Sequence, residues 1–390
     1  MKITILTGGD DPSYALPLLS ALIEKGLTVD FVGSDKMQND DIVKNGNVNY
    51  LNLRGAQNPE APMQEKIVRI VKYYLRLIKY AATTDSQIFH ILWLNKFEHF
   101  DRTMLNIYYK LLGKKIIFTA HNINAGERDK RDSWLNRVTL KFLYSIVDHI
   151  FVHTNKMRQQ LISDYDIFDK KITVIPFGIN NYVPTTKLTR QQAREKLNIA
   201  VNDKVILFFG RITEYKGLDL LITAFAAVAR RQKAVKLIIA GRIERGYASY
   251  WEGIKKEIAG RGLEERVLVN THFVPDNEVE VYYKAADILI LPYRHIFQTG
   301  VMFLSYNFGL PVLATDVGSL KDEIIEDRTG FVCRPEDPQD LAGKIELYFQ
   351  SELYRNLKEN RIWIKKYANE KYSWEKIAET TVEVYKRMMD

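Results

Sequence analysis

The fold is decided most clearly by residues 204–230, which read KVILFFGRITEYKGLDLLITAFAAVAR. Lys204–Phe209 is a mostly apolar run of the length of a buried strand, and a loop with two glycines follows it. Residues 218–230 then place apolar side chains at helical spacing. A strand, a loop and a helix in this order form the first part of a βαβ unit, from which parallel sheets are built.

The same alternation continues in both directions along the chain. It predicts strands at 3–7, 28–32, 87–93, 115–119, 149–153, 235–240, 267–270 and 288–291. It predicts helices at 15–25, 102–112, 134–145, 252–259, 278–286 and 374–389. Apolar strands that alternate with helices indicate parallel sheets covered on both faces. We therefore predict an α/β protein with two doubly wound, Rossmann-like halves that face each other across a cleft.

The boundary between the two halves is predicted at the polar, proline-containing segment 180–186, which has the composition of a linker. This gives domains at 1–178 and 179–370. The closing segment, 371–390, contains a last helix whose packing partner cannot be read from the sequence.

Composition narrows the class of protein. The chain has 390 residues, 46% of them hydrophobic and 27% charged, which is typical of a globular protein of two or three domains and excludes disorder as the main state. A single cysteine, Cys333, cannot close an internal disulfide, so a reducing, cytoplasmic setting is expected. No run reaches the length of a membrane span, and residues 1–7 lead into glycines rather than a cleavage site, so we expect neither an anchor nor a signal peptide. The net charge, 56 − 48 = +8, favours anionic partners.

The loop after the strand at 204–209 contains the first candidate site. Arg211 and Lys216 both follow a strand of a parallel sheet, at the edge where such folds bind ligands. Two cations five residues apart can hold a diphosphate, because arginine supplies a planar fork and lysine a point charge. A solvated loop is the competing interpretation.

A second phosphate candidate lies at residues 298–309. Thr299 can cap a helix that starts at Gly300 and stops at Gly309. The free backbone N–H groups of Gly300, Val301 and Met302, together with the helix dipole, would form an anion site. An ordinary buried helix is the alternative, and both descriptions can hold at once.

The glycines Gly8 and Gly9 follow the first strand. They do not fit GxGxxG, so they predict no dinucleotide site. They indicate instead a close approach by an acceptor or by the facing domain, or a plain tight turn.

These segments together resemble the retaining, GT-B fold glycosyltransferases of family 4 (glycosyl transferases group 1). In the C-terminal half the resemblance rests on Gly210-Arg211, Lys216-Gly217, residues 309–318 and Glu323-Ile324. In the N-terminal half it rests on residues 118–122 and 150–155, and at the domain junction on residues 174–179. The resemblance covers nearly the whole chain and is specific for the superfamily, but not for one sugar.

The resemblance implies roles for the domains and residues. The N-terminal domain would bind the acceptor, the C-terminal domain a nucleotide-diphosphate sugar of UDP or GDP type, and the last helix would cross back to the first domain. The catalytic candidates are His121, beside the donor sugar, and Arg211 and Lys216, which would stabilise the leaving diphosphate. The donor-binding candidates are Gly210, Phe273, Val274, Arg294, His295, Gln298, Thr299, Gly300, Val301 and Met302. Gly8 and Gly9 form the acceptor-side loop.

The chain departs from the family pattern at one motif. Most members carry two glutamates separated by seven residues; here the second position is Leu304, the first falls at Ile296 or Phe297, and no acid occurs between Leu291 and Leu313. Leu304 cannot bind a ribose, so nucleotide affinity must come from elsewhere or be weaker. The segment offers polar groups for sugar hydroxyls, and two of them raise the hypothesis of a charged sugar such as a uronate: Arg294 and His295, with Gln298 and Thr299 beside them. Equal turnover of neutral hexose donors would contradict it.

Without a carboxylate in the donor site, retaining transfer cannot follow the two-carboxylate glycosidase route. The resemblance implies front-face attack, in which the leaving diphosphate accepts the acceptor's proton. No Asp-x-Asp motif lies at a strand end, and the pairs Asp10-Asp11 and Asp40-Asp41 suit loops. We therefore expect no metal and no other cofactor.

Residues 63–80 form a predicted basic amphipathic helix. Such a helix can lie on an anionic leaflet and bring a polyprenyl-linked saccharide to the enzyme, which would then be peripheral on the inner face of the cell membrane. The alternative is a surface helix whose apolar stripe is in the core. The basic residues are Lys66, Arg69, Lys72, Arg76 and Lys79, and the apolar ones are Ile67, Ile70, Val71, Tyr74, Leu77 and Ile78.

The sequence thus predicts a retaining, metal-independent glycosyltransferase that moves a hexosyl or uronosyl group to a saccharide or lipid-linked saccharide, in cell-surface or exopolysaccharide synthesis. A catalytically decayed nucleotide-sugar-binding protein is the main alternative, since lost glutamates are what a decayed site would show. A sugar-nucleotide epimerase would need acids that residues 291–313 lack. Basic residues are spread over both halves, so nucleic acid is not an expected partner.

Overall fold

The structure is a computed structural model that describes residues 1–8, 11–38, 44–58, 60–128 and 132–390. The chain divides into two compact units. Unit 1 contains Met1–Gly178 and Trp374–Asp390, and unit 2 contains Ile179–Ser373. Unit 2 is therefore a continuous segment inserted into unit 1.

Unit 1 is built on a parallel sheet in the order β3-β2-β1-β4-β5-β6-β7. The order reverses between β1 and β4, so the loops after these two strands flank the position where doubly wound sheets bind ligands. Strands such as β4 and β6 are buried along their whole length, because helices cover both faces. The strands are β1 (Lys2–Leu6), β2 (Thr28–Val32), β3 (Val48–Leu51), β4 (Ile88–Ile91), β5 (Lys115–Ala120), β6 (His149–Val152) and β7 (Ile172–Val174).

Some helices of unit 1 begin at side chains that cap their first turn. Asp11 accepts the N–H of Ser13, Ser133 that of Asn136, and Thr154 that of Met157. The α-helices are α1 (Pro12–Glu24), α2 (Met63–Thr83), α3 (Glu98–Phe100), α4 (Asn106–Leu111), α5 (Ala125–Arg128), α6 (Trp134–Ile146) and α7 (Asn155–Tyr165). The last helix of the chain, named below, also belongs to this unit.

Unit 2 repeats this topology with a parallel sheet in the order β10-β9-β8-β11-β12-β13. The order reverses between β8 and β11, where two of the predicted phosphate segments follow their strands. The strands are β8 (Lys204–Phe209), β9 (Val235–Ala240), β10 (Val267–Asn270), β11 (Ile288–Leu291), β12 (Val312–Thr315) and β13 (Gly330–Cys333). The helices are α8 (Arg190–Lys196), α9 (Leu218–Arg231), α10 (Ala248–Gly260), α11 (Asp276–Ala285), α12 (Gly300–Asn307), α13 (Pro338–Gln350), α14 (Glu352–Arg355) and α15 (Leu357–Lys371).

The α/β prediction, with two parallel Rossmann-like sheets, is confirmed, and the local differences have physical reasons. The predicted helix at 102–112 begins instead with a π-helical turn, Asp101–Leu105, and the predicted strand at 87–93 is shorter, Ile88–Ile91. The amide of Asn106 donates to the Asp101 carbonyl, 2.8 Å away, which satisfies a backbone oxygen within the π-helical turn. Short strands such as β7, with three residues, have too little pattern to be recognised.

The predicted linker, 180–186, belongs to unit 2. The Glu280 carboxylate accepts the N–H of Thr186 at 2.8 Å and its hydroxyl at 2.7 Å. Val183 is buried, and so is the side-chain oxygen of Asn180. The segment is therefore attached by side-chain contacts, although its composition resembles a free linker.

The final helix, α16 (Trp374–Met389), packs on unit 1. The Tyr385 hydroxyl lies 2.6 Å from His90 Nδ1 on β4, and Lys25, at the end of α1, pairs with Glu379 at 2.7 Å. A Cβ on Gly178 would lie 2.3 Å from the Trp374 ring, so only glycine fits there. Residues separated by 196 (374 − 178) to 354 positions thus contact one another in unit 1. Among the described residues, no helix is both long and apolar enough to cross a bilayer.

Candidate functional site

The two predicted phosphate segments of unit 2 meet at Gly210, directly after β8. A Cβ placed on Gly210 would lie 2.6 Å from Lys216 Nζ and 3.7 Å from a methyl group of Val301, in the first turn of α12. Gly210 has φ +106°, a backbone conformation that side chains disfavour. The structure therefore brings the ammonium group and the helix N-terminus to one point at the carboxyl edge of the sheet.

Lys216 is buried beside this point, with 5% of its surface exposed. Its ammonium group lies 5.4 Å from the ring centre of Tyr293, a cation–π distance. Arg211, in the same loop, is exposed, and its guanidinium donates to the Glu244 carboxylate at 3.0 Å. Burial is the largest single effect and opposes the ionisation of Glu244, but its hydrogen bonds to Arg211 and to the backbone N–H of Arg245, with the charges of Arg211 and Arg242, together lower its pKa. Arg211 can meet a phosphate only with nitrogens that Glu244 does not use, or by leaving Glu244.

Arg294 was predicted to meet the donor sugar, but other residues of unit 2 already engage its guanidinium. Its guanidinium forms a two-pronged pair with Asp219 and donates to the Glu214 carbonyl, 2.8 Å away. The hydrogen bond to Asp219 is the main reason that the pKa of Arg294 is raised. Arg294 fastens the loop after β11 to the loop after β8, and its charge is already compensated. The uronate hypothesis therefore loses one of the two residues that motivated it.

The helix α12 starts as predicted. The Thr299 side chain accepts the N–H of Val301, and Met302 is buried at the end of the first turn. Leu304, at the position of the second family glutamate, is also buried, with 5% of its surface exposed. The helix thus combines the two predicted descriptions, a buried body and an N-terminus at the sheet edge.

A carboxylate from another segment lies beside Gln298. The Gln298 amide donates to Glu323 Oε1 at 3.3 Å, while its own buried oxygen has no hydrogen-bond partner among the described residues. Glu323 also accepts from Lys371 at 3.2 Å and from the Tyr372 hydroxyl. Glu323 is part of the predicted motif, but its proximity to Gln298 could not be read from the sequence.

The remaining donor-side candidates lie around the same edge. Phe273 is 67% exposed in the loop after β10, so it is not a core residue, whereas Val274 is buried. His295 is exposed. An exposed aromatic ring at a ligand edge can stack on a planar base.

In unit 1, His121 lies in a cluster of aromatic rings at the carboxyl edge of the sheet. Its ring stacks on Trp93 at 4.2 Å and meets Tyr14 edge to face at 4.7 Å. His121 Nδ1 lies 3.0 Å from His153 Nε2. Burial and the neighbouring His153 hold the pKa of His121 well below its usual value, so the ring is neutral.

The acceptor-side loop is described in part. A Cβ on Gly8 would lie 2.0 Å from the Trp93 carbonyl oxygen, and the Arg54 guanidinium donates to the Gly8 carbonyl. Gly8 is therefore required by the approach of another segment of the same unit. Gly9 and Asp10, like Asp40 and Asp41, lie outside the described residues.

An open cavity of about 700 Å³ lies next to this edge of unit 1, and no sequence motif predicts it. It combines aromatic rings with charged groups, a lining that suits a saccharide or an amphipathic ligand. Two of the residues, Arg102 and Glu98, form an ion pair. Its wall includes Lys96, Phe97, Glu98, His99, Phe100, Arg102, Ser133 and Asn136.

The basic helix α2 divides its apolar residues between core and surface. Tyr74 and Leu77 are buried as predicted, but Ile67 and Val71 are 53% and 50% exposed. Met63, Val68 and Leu75 are exposed as well, beside the basic residues. The alternative, in which the apolar stripe packs into the core, therefore does not hold for the N-terminal half of the helix.

Among the described residues, no group of three or more His, Cys, Asp or Glu side chains is placed to hold a metal ion. Metal independence itself stays a prediction. Asp11, one of the acids weighed for a metal, instead caps α1 through the N–H of Ser13.

Solved structures identify the fold. Sucrose-phosphate synthase from Thermosynechococcus elongatus matches with a TM-score of 0.77 and 18% identity, covering 100% of this chain and 99% of that one. Anabaena HepE, solved in complex with UDP-glucose, matches with a TM-score of 0.75 and 18% identity, covering 99% and 100%. The fold of this chain is the GT-B fold.

Two family models match the sequence. "Glycosyltransferase Family 4" matches residues 13–181, and "Glycosyl transferases group 1" matches residues 189–367. The chain belongs to this glycosyltransferase family.

Curated relatives match this chain over part of their length. A D-inositol 3-phosphate glycosyltransferase of Corynebacterium aurimucosum is 28% identical over 244 residues, 59% of this chain and 57% of that protein. Mannosylfructose-phosphate synthase of Agrobacterium fabrum is 28% identical over 243 residues, 61% of this chain and 52% of that protein. The match spans between half and two thirds of the length of these relatives.

Proposed function

We propose that the protein is a retaining glycosyltransferase that moves a sugar from a nucleotide-diphosphate sugar to a saccharide or lipid-linked saccharide. The observation that carries the proposal is the meeting of Lys216 Nζ and the first turn of α12 at Gly210. An ammonium group and a helix N-terminus both bind anions, and a glycine between them lets a phosphate approach closely. The solved HepE complexes with UDP and UDP-glucose support a donor of this class.

In this mechanism the protein stabilises the departing diphosphate. As the bond from the sugar to the diphosphate breaks, negative charge grows on phosphate oxygens beside Lys216, Arg211 and the α12 amides. The acceptor hydroxyl attacks from the same face, and its proton passes to the leaving phosphate oxygen. The sugar configuration is then retained without a protein nucleophile, and the absence of acids from residues 291–313 supports this route.

Thermal shifts with UDP, GDP, ADP and their sugar conjugates test the donor site. A ligand at 100 times its Kd stabilises the native state by about 2.7 kcal/mol, which raises the midpoint by roughly 5–10 °C. We expect one nucleotide class to give this shift. The double variant Arg211→Gln with Lys216→Met should bind on the order of 100-fold more weakly, because two charge-assisted contacts to phosphate are lost.

The matched control removes two exposed cations at the opposite end of α9. Arg230→Ala with Lys233→Ala changes the net charge equally and should leave the shift unchanged. Equal losses in both double variants would show that overall charge, and not the site, binds the nucleotide. No shift with any nucleotide in the wild type would contradict a nucleotide-sugar site, whereas a shift without turnover would favour the decayed-binder alternative.

The metal prediction is tested in the same assay. Turnover and nucleotide shifts should be unchanged in chelator, because Lys216, Arg211 and the α12 amides supply the positive charge at the diphosphate. Loss of turnover in chelator that magnesium restores would overturn the prediction.

We also propose that α2 brings the enzyme to an anionic membrane surface, where a lipid-linked acceptor is found. The exposed apolar residues Ile67, Val68 and Val71 can enter the interface while the adjacent cations meet lipid headgroups. Lys72, Arg76 and Lys79 are exposed on this helix. The charge of the helix is complementary to an anionic leaflet, since Glu65 is its only acid.

Sedimentation with vesicles tests this proposal. Vesicles of equal parts phosphatidylglycerol and phosphatidylcholine should bind the protein, and pure phosphatidylcholine should bind it far less. Replacing Lys72, Arg76 and Lys79 by alanine should weaken binding about 100-fold, at ~1 kcal/mol for each cation. The same replacement of exposed Lys233, Lys256 and Lys358 is the matched control, and an equal effect there would contradict a docking role for α2.

A further inference from the structure

The histidine pair at the edge of unit 1 has a defined arrangement of protons. His153 Nδ1 lies 3.2 Å from the backbone carbonyl oxygen of Ile175. A carbonyl oxygen only accepts hydrogen bonds, so Nδ1 of His153 must carry a proton. Burial lowers the pKa of His153 to about 4, so the ring is neutral and its other nitrogen, Nε2, carries none.

The tautomer of His121 follows from that of His153. His153 Nε2 is an acceptor, and it lies 3.0 Å from His121 Nδ1. His121 Nδ1 must therefore be the donor of this hydrogen bond. Because His121 is also neutral, its remaining nitrogen, Nε2, has a lone pair and no proton.

His121 Nε2 is buried and has no hydrogen-bond partner among the described residues. The ring cannot turn away easily, because it stacks on Trp93 at an angle of 10° and stands edge to face against Tyr14 at 89°. A buried acceptor without a partner is costly unless something donates to it. Its place beside the loops after β4 and β5 is on the ligand-binding edge of the sheet.

We infer that His153 is a positioning residue, which fixes His121 in the Nδ1–H tautomer so that His121 Nε2 accepts a hydrogen bond from a substrate hydroxyl. The hydroxyl belongs to the transferred sugar or to the saccharide acceptor, and this part rests on the proposed function. In this tautomer His121 cannot serve as a proton donor at Nε2. The lost basicity of the buried ring also makes it a poor general base, so its role is to orient the hydroxyl.

The tautomer is tested without any substrate. Nitrogen-15 NMR of the histidine-labelled protein at pH 7.5 should show a protonated Nδ1 and an unprotonated Nε2 for His121. The variant His153→Phe keeps a ring but removes the acceptor, and it should abolish this state, whereas His153→Gln offers an amide oxygen and should preserve it. A protonated Nε2 in the wild type would overturn the inference.

The ligand is tested with donors and acceptors that lack one hydroxyl at a time. In the wild type, loss of the hydroxyl that His121 accepts should lower kcat/KM on the order of 10-fold. In His121→Phe, which keeps the stacking on Trp93, the same deletion should have no further effect. His153→Phe should behave like His121→Phe, and His153→Gln should behave like the wild type.

The outcomes separate the inference from the function on which it rests. If every single deletion costs the wild type and His121→Phe equally, Nε2 meets water and the hydroxyl assignment is wrong, while the transferase activity stands. If no nucleotide sugar is turned over, the proposed function fails, and the NMR result alone decides whether His153 sets the tautomer.

Discussion

Gly210 is the residue at which the two phosphate-binding segments of the donor site meet. A side chain at this position would displace the ammonium group of Lys216, and the positive φ of Gly210 favours glycine independently. Steric space and backbone strain can be separated, because Gly246 in the same unit has a similar φ of +92° with nothing within 4 Å of its Cβ position.

Gly210→Ala should therefore damage the site more than the fold. We expect both Gly210→Ala and Gly246→Ala to lose roughly 1–3 kcal/mol of stability from strain. Only Gly210→Ala should displace Lys216 and weaken nucleotide binding, by 10-fold or more. Titration calorimetry and thermal unfolding measure the two effects, and equal nucleotide affinity in both variants would remove Gly210 from the site.

The sequence predicted the members of the donor site better than their contacts. Arg211 and Lys216 were recognisable because they lie in a loop between a strand and a helix, and such a loop is at the carboxyl edge of a parallel sheet. The engagement of Arg294 by Asp219 was not, since the two residues are 75 positions apart and no periodicity connects them. His153 was part of a family segment, but its contact with His121 depends on how β5 and β6 align.

At the scale of elements, apolar spacing located some helices closely and missed others, such as α13 and α15, and it missed short strands. Apolar spacing located α16 with its observed ends, Trp374 and Met389. The strand β3, Val48–Leu51, lies at the edge of its sheet and includes the exposed Asn49, so it lacks a continuous apolar run. For α2, periodicity described an amphipathic helix but not which part of its stripe is buried.

The anchoring of α16 gives a prediction at this scale. Tyr385→Phe removes the hydroxyl that lies 2.6 Å from His90 Nδ1 and leaves a buried ring nitrogen without its partner. We expect a loss of about 1–3 kcal/mol in the free energy of unfolding. Lys386→Ala, at an exposed neighbouring position, should change it by less than about 0.5 kcal/mol in denaturant melts. Equal stabilities of the two variants would mean that this contact does not anchor the helix.

For the whole molecule, the histidines are distributed unevenly between the units. His90, His121, His149 and His153 are in unit 1, and burial lowers the pKa of each, to about 3 for His90 and about 4 for His149 and His153. Both histidines of unit 2, His272 and His295, are exposed. Acidification therefore acts mainly on unit 1.

The direction in which the stability of unit 1 changes with pH follows from proton binding. Below pH 6.5 the unfolded histidines bind protons that the folded ones do not, so unit 1 loses stability as the pH falls from 6.5 toward 4. Burial raises the pKa of Asp101 to about 6. Below that pH the folded carboxyl binds a proton that the unfolded one does not, so Asp101 stabilises unit 1 and offsets the effect of about one histidine. The net effect corresponds to three histidines, so the free energy of unfolding of unit 1 falls by about 4 kcal/mol per pH unit.

Hydrogen exchange measured by mass spectrometry at pH 7.5, 6.5 and 5.5 can follow both units in one sample. After correction for intrinsic exchange rates, protection should fall at pH 5.5 in peptides from β4 to β7 and stay nearly constant in peptides from β8 to β13. A parallel loss in both units would show that the buried histidines do not control acid stability.

The insertion of unit 2 into unit 1 has a consequence for synthesis on the ribosome. Residues 179–373 can form their sheet as soon as they leave the exit tunnel. Unit 1 starts earlier but must wait for residues 374–390, because Trp374 and Tyr385 complete its core against Gly178 and His90. The half that is translated first is therefore the half that matures last, and its exposed core edge must be protected while about 200 residues are made.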